Sequence, residues 1–235
     1  EVREALNLAI DRVAIVDTLM AGAGQPTYDF YWPTWALLEI GRDPEQGFYP
    51  YDPKRARELL AQAGYPDGFS IDLYVVSTAR VPGIRSIGDV VAANWEQIGV
   101  KTRIVPTDAG GALAKMEKYE TPGAALLWAF ANRGRLDNHS SYYGRFIPMG
   151  TRLPLFQSEM LHRQLFEYAR NATTAMTEQE AAEWTLKLIQ LSREEHYGVQ
   201  VMEVDTLLAT GPGVPEWNPG VVPYDSNFLD LVTRP

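Results

Sequence analysis

Between Asp52 and Pro106 the chain alternates twice between helical and extended hydrophobic spacing, and this succession restricts the fold more than any other feature of the 235 residues. Asp52-Pro53 marks a helix start, because Asp can cap the first turn and Pro suits the first helical position. Ala56, Leu59, Leu60 and Ala63 form one apolar stripe, and Gly64 supplies the left-handed residue that closes a helix. Tyr65-Pro66-Asp67-Gly68 reads as a turn. Residues 70–76 then alternate as a strand does. Helical spacing returns over 83–98, carried by Ile87, Val90, Val91, Asn94, Trp95 and Ile98, until Gly99 stops it. Residues 101–106 read as a second strand, with Val100, Thr102 and Ile104 facing one way. Strand, helix and strand in this order make a β-α-β unit, whose strands run parallel. A helix over 109–119 and a buried strand over 124–130 extend the sheet, so the expected fold class is α/β.

On either side of this unit the pattern is helical or irregular. Residues 2–11 read as a helix that continues or restarts over 15–20, and Gly22 to Pro26 end it. That first helix opens with no capping Ser, Thr, Asp or Asn ahead of it, which leads us to expect chain upstream of Glu1, any export signal included. Residues 25–51 are rich in Pro, Gly, Trp and Tyr and show no period, the composition of a long functional loop. A second such loop covers 131–155. Two helices follow over 156–172 and 177–195, joined through Thr173-Thr174-Ala175-Met176, and 199–209 looks extended. From Gly211 onward the chain is proline-rich and irregular. The expected division is a main body over 1–210 and a tail over 211–235.

Composition removes several classes of function. A net charge of −9 with no basic stripe argues against a nucleic-acid partner. With no cysteine there is no disulfide, thiol nucleophile or cysteine-ligated metal. No apolar run approaches the roughly 20 residues of a membrane span. His139, His162 and His196 are scattered without metal-ligand spacing, and surface positions are expected for the latter two, which fall in helical segments. Gly22-Ala23-Gly24 follows no strand and lacks a third glycine, so it reads as a turn. No metal, cofactor or catalytic constellation is expected, and the chain does not read as an enzyme.

Several segments together resemble one family. The opening VREALNLAIDR (residues 2–12), the stretch YDPKRARELLAQAGYPDGF (51–69), WEQIGVK (95–101) with the Ile104 strand, and 165–174 are similar to segments of the family 5 extracellular solute-binding proteins. These are the dipeptide, oligopeptide and nickel-binding subunits of ABC importers. The resemblance implies a lobe of the type II periplasmic-binding-protein fold, with a central mixed sheet flanked by helices. It further implies a missing N-terminal lobe, a small-molecule ligand held between the lobes, and permease subunits as partners. The implied location is periplasmic or extracellular and membrane-associated. The alternative is the ligand-sensing domain of a transcription regulator, since related lobes are fused to DNA-binding domains.

The resemblance also marks candidate ligand contacts. The stretch LWAFANRGRLDN (127–138) follows a strand and emerges at its carboxyl end, where ligands gather in open α/β sheets. Peptide-binding relatives carry there a Gly-Trp pair, an Asp that holds the peptide ammonium, and an Asp-Pro-Asp-Asn-like run. Here the first Asp corresponds to Ala131, and with one inserted residue near Arg133 the next acidic position becomes Arg135 and the Pro becomes Leu136. Asp137 and Asn138 keep their matches. Arg133 and Arg135 suit a carboxylate or phosphate, or are solvated loop charges. Trp128 either stacks on a ligand or caps the core below the cleft. Asn132 and Asp137 complete this set, and Trp32 and Trp35 in the first loop line a pocket or plug the interface with the other lobe. Tyr142 falls in a tyrosine-glycine stretch near the family's cleft, with a core or hinge role as the competing reading.

Overall fold

A computed structural model describes residues 1–27, 49–77, 81, 83–117, 123–129, 159–196 and 198–204. Its centre is the expected β-α-β unit. Strands β2 (Phe69–Val76) and β3 (Val100–Thr107) pair in parallel from Phe69 opposite Val100 to Val76 opposite Thr107. On the other side of β2 lies β4 (Ala124–Leu127), also parallel, with Asp72 opposite Ala124 and Val75 opposite Leu127. The order is therefore β3-β2-β4. Ile71, Leu73 and Val75 alternate into the core. Helix α4 (Ile84–Glu96) covers that face with Ile87, Val91 and Trp95, spaced four apart. Its approach is close at Gly88, where a Cβ would lie 2.9 Å from Cγ2 of Val75.

The strand expected over 124–130 is shorter and less buried than its apolar run suggests. All four residues of β4 are half-buried, because among the described residues β4 pairs only with β2.

Before the sheet, α3 (Pro53–Gln62) starts and ends as its sequence dictates. Asp52 accepts the Arg55 amide at 2.8 Å, Ala56, Leu59 and Leu60 are buried, and Gly64 is left-handed with φ +90°. The turn that follows crosses the entrance to β3 so closely that a Cβ on Gly68 would collide with the Gly99 carbonyl.

The opening helical pattern restarts and does not continue. Helix α1 (Val2–Leu8) ends, and α2 (Arg12–Met20) begins at Asp11, whose carboxylate accepts the Ala14 amide at 3.0 Å. The Asp11 amide, freed from any helix, donates to Oδ1 of Asn94 at 2.8 Å. Trp95, 2% exposed, donates its indole N–H to the Leu6 carbonyl at 3.0 Å. Two neighbouring side chains of α4 thus fix the corner between α1 and α2.

A short strand escapes the sequence reading. Gly24–Pro26, read as a turn entering a loop, is β1, paired antiparallel with β5 (Met202–Val204). The mixed character of the sheet structure lies in this separate two-stranded ladder, since the described strands of the central sheet are all parallel. Of the stretch 199–209 expected to be extended, 202–204 is strand and 205–209 lies outside the described residues.

Helix α5 (Ala109–Glu117) leaves β3, and helices α6 (Glu159–Thr174) and α7 (Glu178–Glu194) form a packed hairpin with Leu165, Ala169, Ala172, Leu188 and Ile189 buried. Thr173 and Thr174, expected in the connection, extend α6 and turn their hydroxyls back to the Ala169 and Arg170 carbonyls at 2.8 and 3.0 Å. Thr177 caps α7 by accepting the Glu180 amide.

The end of α7 is laced to the start of the chain. Arg3 donates twice to the Glu195 carbonyl (2.8 and 3.0 Å), Asn7 to the Gly198 carbonyl (3.2 Å) and Arg12 to the Gln200 carbonyl (2.6 Å). The β1–β5 ladder takes over from there. No helix among the described residues is long and apolar enough to cross a membrane.

Candidate ligand-binding edge of the sheet

Because β2, β3 and β4 are parallel, their carboxyl ends share one edge: Val76, Thr107 and Leu127, followed by Ser77, Asp108 and Trp128. The β2–β3 ladder runs one step past the strands, with the Ser77 amide donating to the Thr107 carbonyl at 2.9 Å. Two helices begin at this edge. Asp108 starts α5 by accepting the Gly111 amide at 2.7 Å. Gly83 starts α4 in a left-handed conformation (φ +84°) without a side-chain cap, its carbonyl accepting the Ser86 amide at 2.8 Å. Hydroxyls of Ser77 and Thr107, backbone amides at two helix starts and the Asp108 carboxylate give the edge polar groups for recognition. Nothing in this set holds a nucleophile against a base. Among the described residues no cluster of His, Asp and Glu fit to hold a metal is found.

Trp128, inside the strand expected over 124–130, lies half-buried immediately after β4. Ala129 behind it packs on the core. Of the other candidate contacts, Asn132, Arg133, Arg135, Asp137, Trp32, Trp35 and Tyr142 lie outside the described residues, as does Ala131.

Sequence reasoning overlooked a second polar concentration. An open cavity of about 660 Å³ spans the amino-terminal half of the strands, lined in part by Ser70, Asp72, Tyr74, Lys101 and Arg103. Asp72 and Arg103 face each other in register, and Nε of Arg103 donates to Oδ1 of Asp72 at 2.7 Å. That hydrogen bond holds the Asp72 carboxyl below its ordinary range and the Arg103 guanidinium above its own. The period-2 pattern places both residues on one face, so the pairing follows once the register is known.

One histidine departs from the expected surface position. His196 lies just beyond α7 with a left-handed backbone (φ +50°) and is half-buried. Its Nδ1 lies 2.9 Å from the Tyr49 hydroxyl and its Nε2 3.7 Å from the Glu4 carboxylate. His139 lies outside the described residues, and His162 lies within α6.

Comparison with known proteins agrees with this architecture. The model of the bacterial extracellular solute-binding proteins, family 5 (middle region), matches residues 1–146. Heme-binding protein A of Haemophilus influenzae is 34% identical over 144 residues, 60% of this chain and 25% of the relative. Glutathione-binding protein GsiB of Salmonella typhimurium is 40% identical over 117 residues, 50% of this chain and 22% of the relative. The crystal structure of a dipeptide binding protein from Pseudoalteromonas sp. SM9913 in complex with Met-Leu superposes with a TM-score of 0.71 at 20% identity, covering 86% of this chain and 39% of that one. The fold is that of a periplasmic binding protein. The chain belongs to family 5 of the bacterial extracellular solute-binding proteins, a family of periplasmic and extracellular receptors that serve ABC importers. The match spans about a quarter of the length of the curated relatives.

Proposed function

We propose that this chain is the second ligand-binding lobe of the substrate-binding component of an ABC importer. Residues 1–210 would form the lobe and 211–235 a tail returning toward the first lobe. The observation that carries the reading is the family match over 1–146, which includes the three described parallel strands and their carboxyl ends. A small solute would bind between this edge and the first lobe, and closure of the two lobes would present it to the membrane permease. In the cell this places the protein outside the cytoplasmic membrane and associated with it through the permease or an anchor. On this reading binding and release need no bond to be made or broken.

The solute is peptide-like or anionic. Relatives are described as binding dipeptides, glutathione and heme. A peptide ammonium normally needs a carboxylate partner when buried. On the sequence resemblance Ala131 corresponds to that Asp, and Arg135 to the next acidic position, with Arg133 two residues before it. Two forked cations there favour a carboxylate or phosphate. Trp128, Asn132, Asp137, Trp32, Trp35 and Tyr142 complete the proposed contact set. The test is calorimetry on the two-lobed protein with glutathione and with Met-Leu, before and after Arg133→Ala and Arg135→Ala together. The double variant should lose at least about tenfold in affinity for the anionic ligand, one charge-assisted bond being worth about that much. Unchanged affinity would remove the arginines from the site.

A further inference from the structure

Gly88 stands where α4 comes close to the carboxyl edge of the sheet. It is buried in the first half of the helix, and a Cβ on it would lie 2.9 Å from Cγ2 of Val75 and 3.5 Å from Cδ2 of Leu127. Those two residues face each other in register, and Leu127 is the last residue of β4. Glycine weakens the interior of a helix, so its use here is the close approach that it permits. Carbon atoms attract best at roughly 3.5–4.0 Å, so an added methyl would have to open the Val75 contact by at least about 0.5 Å.

Most of the surroundings resist that movement. Val75 is 2% exposed, its branched side chain is stiff, and its strand is laced on one side to β3 and on the other to β4. Helix α4 is held down by buried Ile87 and Val91, by the Trp95 bond to the Leu6 carbonyl and by the Asn94 bond to the Asp11 amide. It cannot slide toward β4 either, because Leu127 already stands at contact distance. The end of β4 is the part that can give: the strand is four residues long, half-buried and, among the described residues, paired only with β2. Ala125, Leu127 and Ala129 pack on the core, so Trp128 turns to the opposite face of the chain. Its place on the edge is set by the anchors before and after it, and the first of them is the residue that Gly88 faces.

We propose that Gly88 is a positioning residue for the ligand-binding edge: having no side chain, it lets α4 seat Leu127 and thereby sets where Trp128 stands. Its consequence for binding rests on the reading of Trp128 as a ligand contact. A recognition site must hold its groups within roughly 0.5 Å of the productive geometry, so the displacement that Gly88→Ala demands would reach the bound solute.

Indole N–H resonances of the two-lobed protein, recorded by NMR without ligand, test the geometry. Trp128 and Trp95 are assigned by the signals lost in Trp128→Phe and Trp95→Phe. In Gly88→Ala the Trp128 resonance should move by more than its line width while that of Trp95, two turns further along α4, stays; a general loosening would move both. Val75→Ala with Gly88→Ala removes the methyl groups that the new Cβ would strike, and should return Trp128 to its parent position, including where Gly88→Ala alone does not fold. Calorimetry with glutathione supplies the binding readout, with affinity expected to fall several-fold in Gly88→Ala and to recover in the double variant. An unmoved Trp128 resonance in folded Gly88→Ala, or a displaced one in the double variant, would overturn the positioning role. A resonance that moves and returns while glutathione affinity does not follow it would uphold that role and count against Trp128 as a ligand contact.

Discussion

Arg12 is 4% exposed, yet its four hydrogen-bond acceptors are uncharged: the carbonyls of Asn7, Ile10 and Gln200 and the side-chain oxygen of Asn7. Burial pushes its pKa down to about 10. Its energetic value lies mainly in the Gln200 carbonyl and the Asn7 side-chain oxygen, since the Asn7 and Ile10 carbonyls also accept backbone amides. Arg12→Met, which keeps much of the stem, should cost about 3 kcal/mol in urea unfolding, within the range for breaking a buried polar network. Trp95 is the apolar counterpart. Trp95→Phe leaves the Leu6 carbonyl without its donor and a void beside it, and should cost about 2 kcal/mol by the same measurement. At this scale the sequence was partly silent. Trp95 was legible as core from its spacing, whereas Arg12 looked like any charged residue at a helix start, because its burial depends on the segment that carries the Gln200 carbonyl, 188 positions away.

At the scale of elements, spacing and turn chemistry carried most of the information. The stripe of α3, its Asp52 cap and its Gly64 terminus are local properties, and the structure repeats them. Asp52→Ala should lower stability by about 1 kcal/mol, the usual value of an N-cap. Gly88 was less legible. In the sequence it is only a weak point in a helix, and replacement by Ala would gain up to about 1 kcal/mol of helix propensity. Because its Cβ would press on Val75, Gly88→Ala should instead destabilise the protein by about 1 kcal/mol net, read as a lower melting temperature. The missed strand β1 has a related cause. Three residues are too short for a period, and β1 is a strand only because β5 lies beside it. For the same reason β4 read as fully buried: an apolar run does not say how many strands will flank it.

For the molecule as a whole, the α/β class and the family followed from motifs that cover the β-α-β unit and the helices on either side. The carboxyl edge followed from parallel strands alone, and Trp128 stands on it. The cavity over Asp72 and Arg103 did not, because facing residues on neighbouring strands depend on register. The proposed lobe binds a small solute and leaves it chemically unchanged. A thermal-shift screen of the two-lobed protein against dipeptides, glutathione, heme, organic acids, sugar phosphates and nickel, followed by mass spectrometry of the solute, tests it directly. A ligand at 100 times its Kd should stabilise the folded protein by about 2.7 kcal/mol. Such a shift is expected with a peptide-like or anionic solute that is recovered intact; no shift with any of them, or a solute recovered as a product, would rule out the proposed receptor function.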